Sequence, residues 1–453
     1  MRWLFFALIA AFIVGAVFGL GMSIATGLSV KNALLYAIGF TLVFRTALSG
    51  NIQVELPAIH ILFIAFIGYA TLSWIVTFGF IHYPGYHMFS GLITLKTRLI
   101  DPALMLLTAF YALRRMEDVR WVLSVLLLGI AAANFATLVD TAGIHSFGMK
   151  VGDHGPELGR VFGVFGHAND TGALLVCVIP AMTAMMVTNH GFRRLVWLGC
   201  VVASAVVLLL TVSRGAFVGL FVGTVAAAFI CRRYVPVSRF VLWGFLALVG
   251  VILTLAVASL ADPHIGDIVS DRLFSQSKSY DIGDASSGRT QIWAELLSRM
   301  ARAPISFLTG FGWDVYSVMP FRYAPHNHYL GTWFDLGIIG VMLFVSILAT
   351  ILVTVYRAIP MASEEARPHL LAFMFGMMSL VVAIVFADLF DPWSYIWLYA
   401  GMTLRMAVLA RQGADQPVAV RITDEPLRVA SVAAPAFRDG RSAFGGVLAG
   451  RPR

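Results

Sequence analysis

The sequence has 453 residues, of which 59 % are apolar, 13 % aromatic and only 12 % charged, with a formal net charge of +8. Soluble domains carry about 25 % charged residues; the shortfall here, with apolar runs of about 20 residues recurring along the chain, excludes a soluble protein, and the length of those runs excludes an outer-membrane barrel. The basic excess is what short cytoplasmic loops collect, so no nucleic-acid partner is expected, and the class is an all-α polytopic membrane protein.

In chain order the apolar windows predict about twelve transmembrane helices, at roughly 3–22, 33–50, 56–80, 99–113, 121–140, 169–188, 195–212, 215–230, 240–260, 328–354, 369–387 and 393–410. The first is too long for a signal-peptide core and a second follows at once, so it reads as an uncleaved helix. The fourth and eighth are short, and each is expected to tilt or to start inside a flanking loop. With the N-terminus inside, the short inner segments hold Arg2, Arg45, Arg114, Arg115, Arg120, Arg193, Arg194, Arg232, Arg233, Arg239, Arg357, Arg367, Arg405 and Arg411. The outer ones hold chiefly Lys31, Lys96, Arg98 and Arg214. This asymmetry orients both termini to the cytoplasm.

Two outer loops are long, at about 141–168 and about 261–325. In the second, Ser287 to Pro304 has one helical pattern, with Ile292, Leu296, Leu297 and Met300 on one face and Pro304 as its stop. Two readings of this helix stand side by side: it lies on the membrane surface with Trp293 at the interface, or it packs on a small core of the loop's own. The expected organisation is a transmembrane domain over 1–410 that includes the 261–325 loop, and a disordered cytoplasmic tail over 411–453, rich in Ala, Pro, Gly, Val and Arg.

The informative polar residues gather at the outer side. Arg214 follows Thr211-Val212-Ser213 at the end of one span and opposes the inside-positive trend, so it needs a compensating anion, either an ion-pair partner or a bound ligand. Gly215, Gly219 and Gly223 follow at intervals of four, which reads as a helix-packing face. Arg289 opens the loop helix; alone it is an ordinary solvated arginine, but two converging arginines can hold two phosphates. Pro325-His326-Asn327-His328-Tyr329-Leu330 enters the tenth span. His326 can act as a base near neutral pH. His328 reads either as an interfacial anchor beside Tyr323 and Tyr329 or as a substrate contact, with Asn327 beside it. His167-Ala168-Asn169-Asp170 enters the sixth span, where Asn169 or Asp170 caps the helix or faces a sugar hydroxyl. Asp388 and Asp391 read as turn and cap residues.

Several chemistries leave no trace. There is no G-x-x-x-x-G-K-[ST] loop, no G-x-G-x-x-G in a βαβ setting and no H-E-x-x-H. Cys177, Cys200 and Cys231 form neither a disulfide framework nor a C-x-x-C pair. The acidic residues form no convincing cluster, so neither a metal nor any other cofactor is expected.

Ser213-Arg214-Gly215, Ser287-Gly288-Arg289-Thr290 and Pro325-His326-Asn327-His328-Tyr329-Leu330, taken in order and spacing, resemble the O-antigen ligase and polymerase family of bacterial membrane proteins. Trp293, Pro304, the Gly310-Phe311-Gly312-Trp313 turn and Asp335-Leu336-Gly337-Ile338-Ile339-Gly340 fit the same pattern, over about 160–345. The resemblance implies a glycosyltransferase C-like helical bundle in the inner membrane, with a large periplasmic loop between spans nine and ten. It implies metal-independent, inverting transfer of a glycan from undecaprenyl diphosphate. The acceptor would be lipid A–core for a ligase or a second lipid-linked glycan for a polymerase. The family's catalytic groups correspond to Arg214, Arg289 and His326, with Asn327, His328, Asn169, Asp170 and Trp313 as substrate contacts. Where the family often has an Asn-Pro-Asn-like turn, this chain has His167-Ala168-Asn169-Asp170. A transporter or a non-catalytic assembly protein is the competing class; the outer placement of the long loop and the lack of similar halves weigh against transport.

Overall fold

A computed structural model describes residues 1–18, 23–49, 54–147, 161–163, 165, 167–235, 289–321, 324–389 and 392–415. The ninth predicted span, most of the 141–168 loop, residues 261–288 of the large loop, Arg322, Tyr323, Asp391 and the tail from 416 lie outside the described residues.

The protein is a polytopic bundle of helices. The first is α1 (Arg2–Phe18), followed by a two-strand turn of β1 (Ser23–Ala25) and β2 (Leu28–Ser29). Then come α2 (Val30–Ser49), α3 (Pro57–Val76), α4 (Met88–Leu95), α5 (Asp101–Ala112) and α6 (Met116–Thr141). The next three are α7 (Ala168–Thr188), α8 (Gly191–Leu210) and α9 (Arg214–Ile230). They are followed by the loop helix α10 (Arg289–Arg302), the short α11 (Ser306–Thr309), α12 (His328–Ala358), α13 (Arg367–Ala383) and α14 (Trp393–Asp415). Apart from the ninth, every predicted window contains a helix. Among the described residues, five helical segments, Pro57–Ile81, Met116–Thr141, Ala168–Thr188, Gly191–Leu210 and His328–Met361, are long and apolar enough to cross a membrane.

The fourth window is where sequence and structure differ most. Its helix does not start near 99. It runs from α4 through a π-helical turn at Lys96–Ile100 straight into α5, so Lys96 and Arg98 sit within the helix and not in a loop. Their charges dilute the local hydropathy, but both are paired: Lys96 Nζ lies 2.8 Å from Asp101 Oδ2, and Arg98 reaches Asp314. Such pairing offsets part of the cost of taking a charge out of water.

The glycines of α9 do what their spacing predicts. A Cβ on Gly215, Gly219 or Gly223 would overlap Phe386, Ala383 or Ser379, so α9 packs backbone-close against α13 and the turn after it. Gly376 of α13 approaches the Cys177 carbonyl of α7 in the same way. The main core runs through the bundle, from Phe5 and Leu8 of α1 to Phe373 of α13 and Tyr399 of α14. Three ion pairs join distant segments at one end: Arg2 with Asp118, Arg120 with Glu365, and Arg405 with Glu55. The candidate residues lie at the other end, where α7, α9, α12 and α14 begin.

The loop helix α10 packs on a small core separate from that of the bundle. Leu296 and Met300 bury fully against Val315, Leu330 and Phe334. The buried face therefore includes Trp293, Leu296 and Met300, whereas Leu297, expected on it, is 39 % exposed.

The tenth span is broken. Gly337 has φ 65° and ψ −173°, so α12 is a short segment, 328–336, followed by a longer one. The break frees the carbonyls of Phe334 and Asp335, which accept hydrogen bonds from Phe311 N (2.8 Å) and Gly312 N (2.9 Å). This satisfies groups that a membrane would leave unpaired. The 309–313 strap that provides those donors is itself held. Trp313 N donates to Ser73 Oγ (3.0 Å), Tyr83 OH to the Phe311 carbonyl (3.1 Å) and Tyr86 OH to the Trp313 carbonyl (2.7 Å).

Candidate active site

The entry to α9 starts with strain. Val212 has φ 44°, a left-handed conformation that a β-branched residue rarely adopts. Ser213 then caps the helix: its Oγ accepts from Ala216 N (3.4 Å) and donates to Asn169 Oδ1 (2.9 Å), both ends buried. This bond ties the first turn of α7 to the first turn of α9. Arg214, the first residue of α9, is half-buried beside it.

The cap of α7 is neither Asn169 nor Asp170. It is His167, whose Nδ1 accepts from Asn169 N at 3.3 Å. The helix thus begins one residue earlier than expected. Asn169 is left to bond Ser213, and Asp170 stands half-buried in the first turn. A histidine is not a typical cap, so little in the residue pattern points to this arrangement.

His167 also reaches the third candidate group. Its ring stacks on His326, with centroids 6.1 Å apart and planes at 28°, and on Phe162, at 5.7 Å and 16°. His326 itself has φ 47°. On one side of it the Pro325 carbonyl accepts a hydrogen bond from Trp293 Nε1 (2.8 Å), which anchors α10 one turn beyond Arg289. On the other side Asn327 caps α12, its Oδ1 accepting from Leu330 N (3.0 Å). A continuous chain of contacts therefore joins the Arg289 helix, His326, His167, Asn169 and the Arg214 helix.

His328 has a different setting. Its N–H donates to the carbonyls of Ile384 (3.0 Å) and Ala387 (3.1 Å), and its Nδ1 lies 3.2 Å from Asp388 Oδ1. Its ring packs against Phe344 and Trp393. Asp388, expected as a turn residue, is thus the partner of His328. Tyr329 is anchored inside the bundle, its hydroxyl donating to the Val381 carbonyl (2.9 Å).

Beside this chain of contacts lies a cavity of about 370 Å³, lined by Arg98, Asp314, Asp335, His328, Asp388, Trp393 and several aliphatic and aromatic side chains. It reaches Pro325, next to His326. Among the described lining residues are His328 and Trp313, but not Arg214, Arg289 or His326. Trp313 contributes ring surface there, while its indole N–H is used on the Gly91 carbonyl (3.1 Å). Arg98 Nη1 lies 3.3 Å from Asp314 Oδ1; burial pushes the Asp314 carboxyl above the usual range, against the pull of that guanidinium. Asp335 accepts from Tyr316 N at 3.0 Å.

Sequence reasoning missed Arg98, Asp314, Asp335 and His167. For Asp335 a signal existed, because an acid inside a span is a functional candidate by default. For the Arg98–Asp314 pair, more than 200 residues apart, spacing carries none. Among the described residues no group of three His, Cys, Asp or Glu side chains is arranged to hold a metal ion.

The stretch that contains all three motifs also decides the comparison. Residues 199–345 match the O-antigen ligase family. The match opens within α8 and closes within α12, so it takes in Arg214, Arg289, Trp313, His326, Asn327 and His328. His167, Asn169 and Asp170 lie outside it. No curated protein matches the chain. Over that third of its length this multi-pass helical protein is similar to the O-antigen ligase family.

Proposed function

We propose that this protein is an inner-membrane glycosyltransferase that moves a glycan from undecaprenyl diphosphate to an acceptor on the periplasmic side, in the manner of an O-antigen ligase. The observation that carries this reading is the chain of contacts from Trp293–Pro325 through His326 and His167 to Asn169–Ser213, which gathers the helices bearing Arg289 and Arg214 around one imidazole.

In the reaction proposed, the acceptor hydroxyl oxygen attacks the anomeric carbon from the face opposite the diphosphate. The new glycosidic C–O bond forms as the sugar–phosphate C–O bond breaks. Its electron pair stays on the diphosphate, and the hydroxyl proton passes to His326. The anomeric centre inverts. Arg214 and Arg289 stabilise the charge that builds on the leaving diphosphate, which is greater in the transition state than in the ground state. Bidentate guanidinium–phosphate bonds suit that task better than a point charge would. A diphosphate needs no protonation to depart, so the site requires one base and two cations. Asn327, His328, Asn169, Asp170 and Trp313 are proposed to contact the substrates.

The test is transfer by purified protein supplied with an undecaprenyl diphosphate-linked repeat unit, with and without lipid A–core. A single shift that requires lipid A–core supports the ligase. A ladder on the carrier alone supports a polymerase, the reading that the Gly288-Arg289-Thr290-Gln291-Ile292-Trp293 run favours. No product from matched substrates and folded protein would overturn both and favour transport or assembly.

A further inference from the structure

We propose that His167 is a positioning residue for His326: one imidazole both caps α7 and supplies the stacking face that sets the plane of the His326 ring. The proposal rests on the reading of His326 as the proton acceptor.

The cap of α7 is an unusual one. Helix caps are supplied best by Ser, Thr, Asp or Asn, whose short side chains reach the free N–H groups of the first turn. Here a bulky imidazole does it, through Nδ1 to Asn169 N at 3.3 Å. An asparagine would cap as well, so capping does not explain the ring.

The ring's other contacts do. It stacks on Phe162 at 5.7 Å and 16°, and on His326 at 6.1 Å and 28°. The backbone of His326 is fixed from both sides, by Trp293 on the Pro325 carbonyl and by the Asn327 cap, and it holds the residue at φ 47°. What the backbone leaves unset is the orientation of the imidazole about its own side-chain torsions. The stacked face of His167 bears on it directly.

The capping bond also sets the charge of His167. A nitrogen that accepts from Asn169 N carries no proton, so the proton is on Nε2 and the ring is neutral. A positive ring would be opposed there by the N-terminal end of the α7 dipole.

Two variants separate the roles. H167N keeps the acceptor and removes the ring; H167F keeps the ring and removes the acceptor. Both are measured in the full-length protein, by thermal midpoint and by kcat and KM for transfer from an undecaprenyl diphosphate-linked glycan. H167N is expected to melt with wild type but to lose about tenfold or more in kcat with KM unchanged, the scale on which misorientation of a reacting group acts. H167F is expected to melt lower yet to recover most of that kcat. If kcat instead follows the melting temperature, with H167N active and H167F impaired, His167 is a cap alone and the proposal falls. Wild-type kcat in H167N is by itself enough to overturn it, even if H167F does not fold. His326→Ala, which leaves His167 untouched, is the separate check: full turnover there would show that His326 is not the base, a failure of the underlying reading that the His167 variants cannot mimic.

Discussion

Gly337→Ala is the sharpest test of the broken tenth span. Gly337 has φ 65° and ψ −173°, a region essentially reserved for glycine, and a Cβ there would overlap the Leu308 carbonyl. Backbone strain of this kind costs about 1–3 kcal/mol, and forcing an atom into a packed backbone contact adds about 1–3 kcal/mol. The sum, about 2–6 kcal/mol, is a large share of an ordinary folding free energy. Gly68 in α3 is the control, because nothing lies within 4 Å of a Cβ built there and its helix is otherwise regular. Gly68→Ala is expected to be neutral or to stabilise slightly, since Ala is preferred over Gly inside a helix. The assay is thermal unfolding of purified protein in detergent, read by tryptophan fluorescence. Gly337→Ala is expected to melt at least roughly 4 °C lower, taking about 2 °C per kcal/mol. If the two variants melt together, α12 is continuous through 337. The carbonyls of Phe334 and Asp335 would then be bonded along the helix and not by Phe311 and Gly312, and the account of the 309–313 strap would be refuted.

Other expectations follow from single contacts. Arg214→Lys keeps the charge but loses the planar fork, and kcat for transfer is expected to fall by about 10²-fold with little change in melting temperature. Ser213→Ala removes the α9 cap and its buried hydrogen bond to Asn169 Oδ1; a loss of about 1–3 kcal/mol is expected by chemical denaturation. Trp293→Phe leaves the buried Pro325 carbonyl without its donor, and transfer is expected to fall more than stability because the loosened residue adjoins His326. Asp314 has a folded-state pKa above its unfolded value, so the folded protein binds the proton more tightly. Stability relative to Asp314→Asn is therefore expected to shift in favour of wild type as pH falls through the range between the raised value and 3.8, read as the difference in their thermal midpoints.

What was legible in the sequence follows the physics of each signal. Apolar length is a local property, so the helices are visible, and so are the Gly215, Gly219 and Gly223 face and the general place of Arg214, Arg289 and His326. The early start of the fourth helix at Met88 was not, because Lys96, Thr97 and Arg98 depress the hydropathy of a turn whose charges are neutralised by Asp101 and by the distant Asp314. The break at Gly337 was not either. The glycine is visible in Asp335-Leu336-Gly337, but its positive φ is imposed by the strap at 309–313, which meets it only in three dimensions. The same is true of His167. Its place before Asn169 and Asp170 hints at a helix start, but the partner that gives the ring a second use lies on another segment.

Backbone strain at the candidate site argues for preorganisation there. Val212, Asp314 and His326 all hold positive φ without being glycine. Val212 and His326 flank the candidate centre, and Asp314 lines the cavity beside it. Each is held from both sides: Val212 N by the Leu209 carbonyl and Ser213 Oγ on Asn169, Asp314 by Arg98 and the Trp313 bonds, His326 by Trp293 and Asn327. Such conformations cost about 1–3 kcal/mol each and persist only where the surroundings over-determine them. Positive φ is not confined to the site, since His82 and Leu56 also hold it, Leu56 at the far end beside the Arg405–Glu55 pair. In the reaction proposed here, with no covalent intermediate and with two guanidinium groups and one imidazole meeting a leaving diphosphate and an incoming hydroxyl in register, orientation is most of what a protein can contribute. Strained backbone at the entry to α9 and at His326 is the form that contribution takes in this fold.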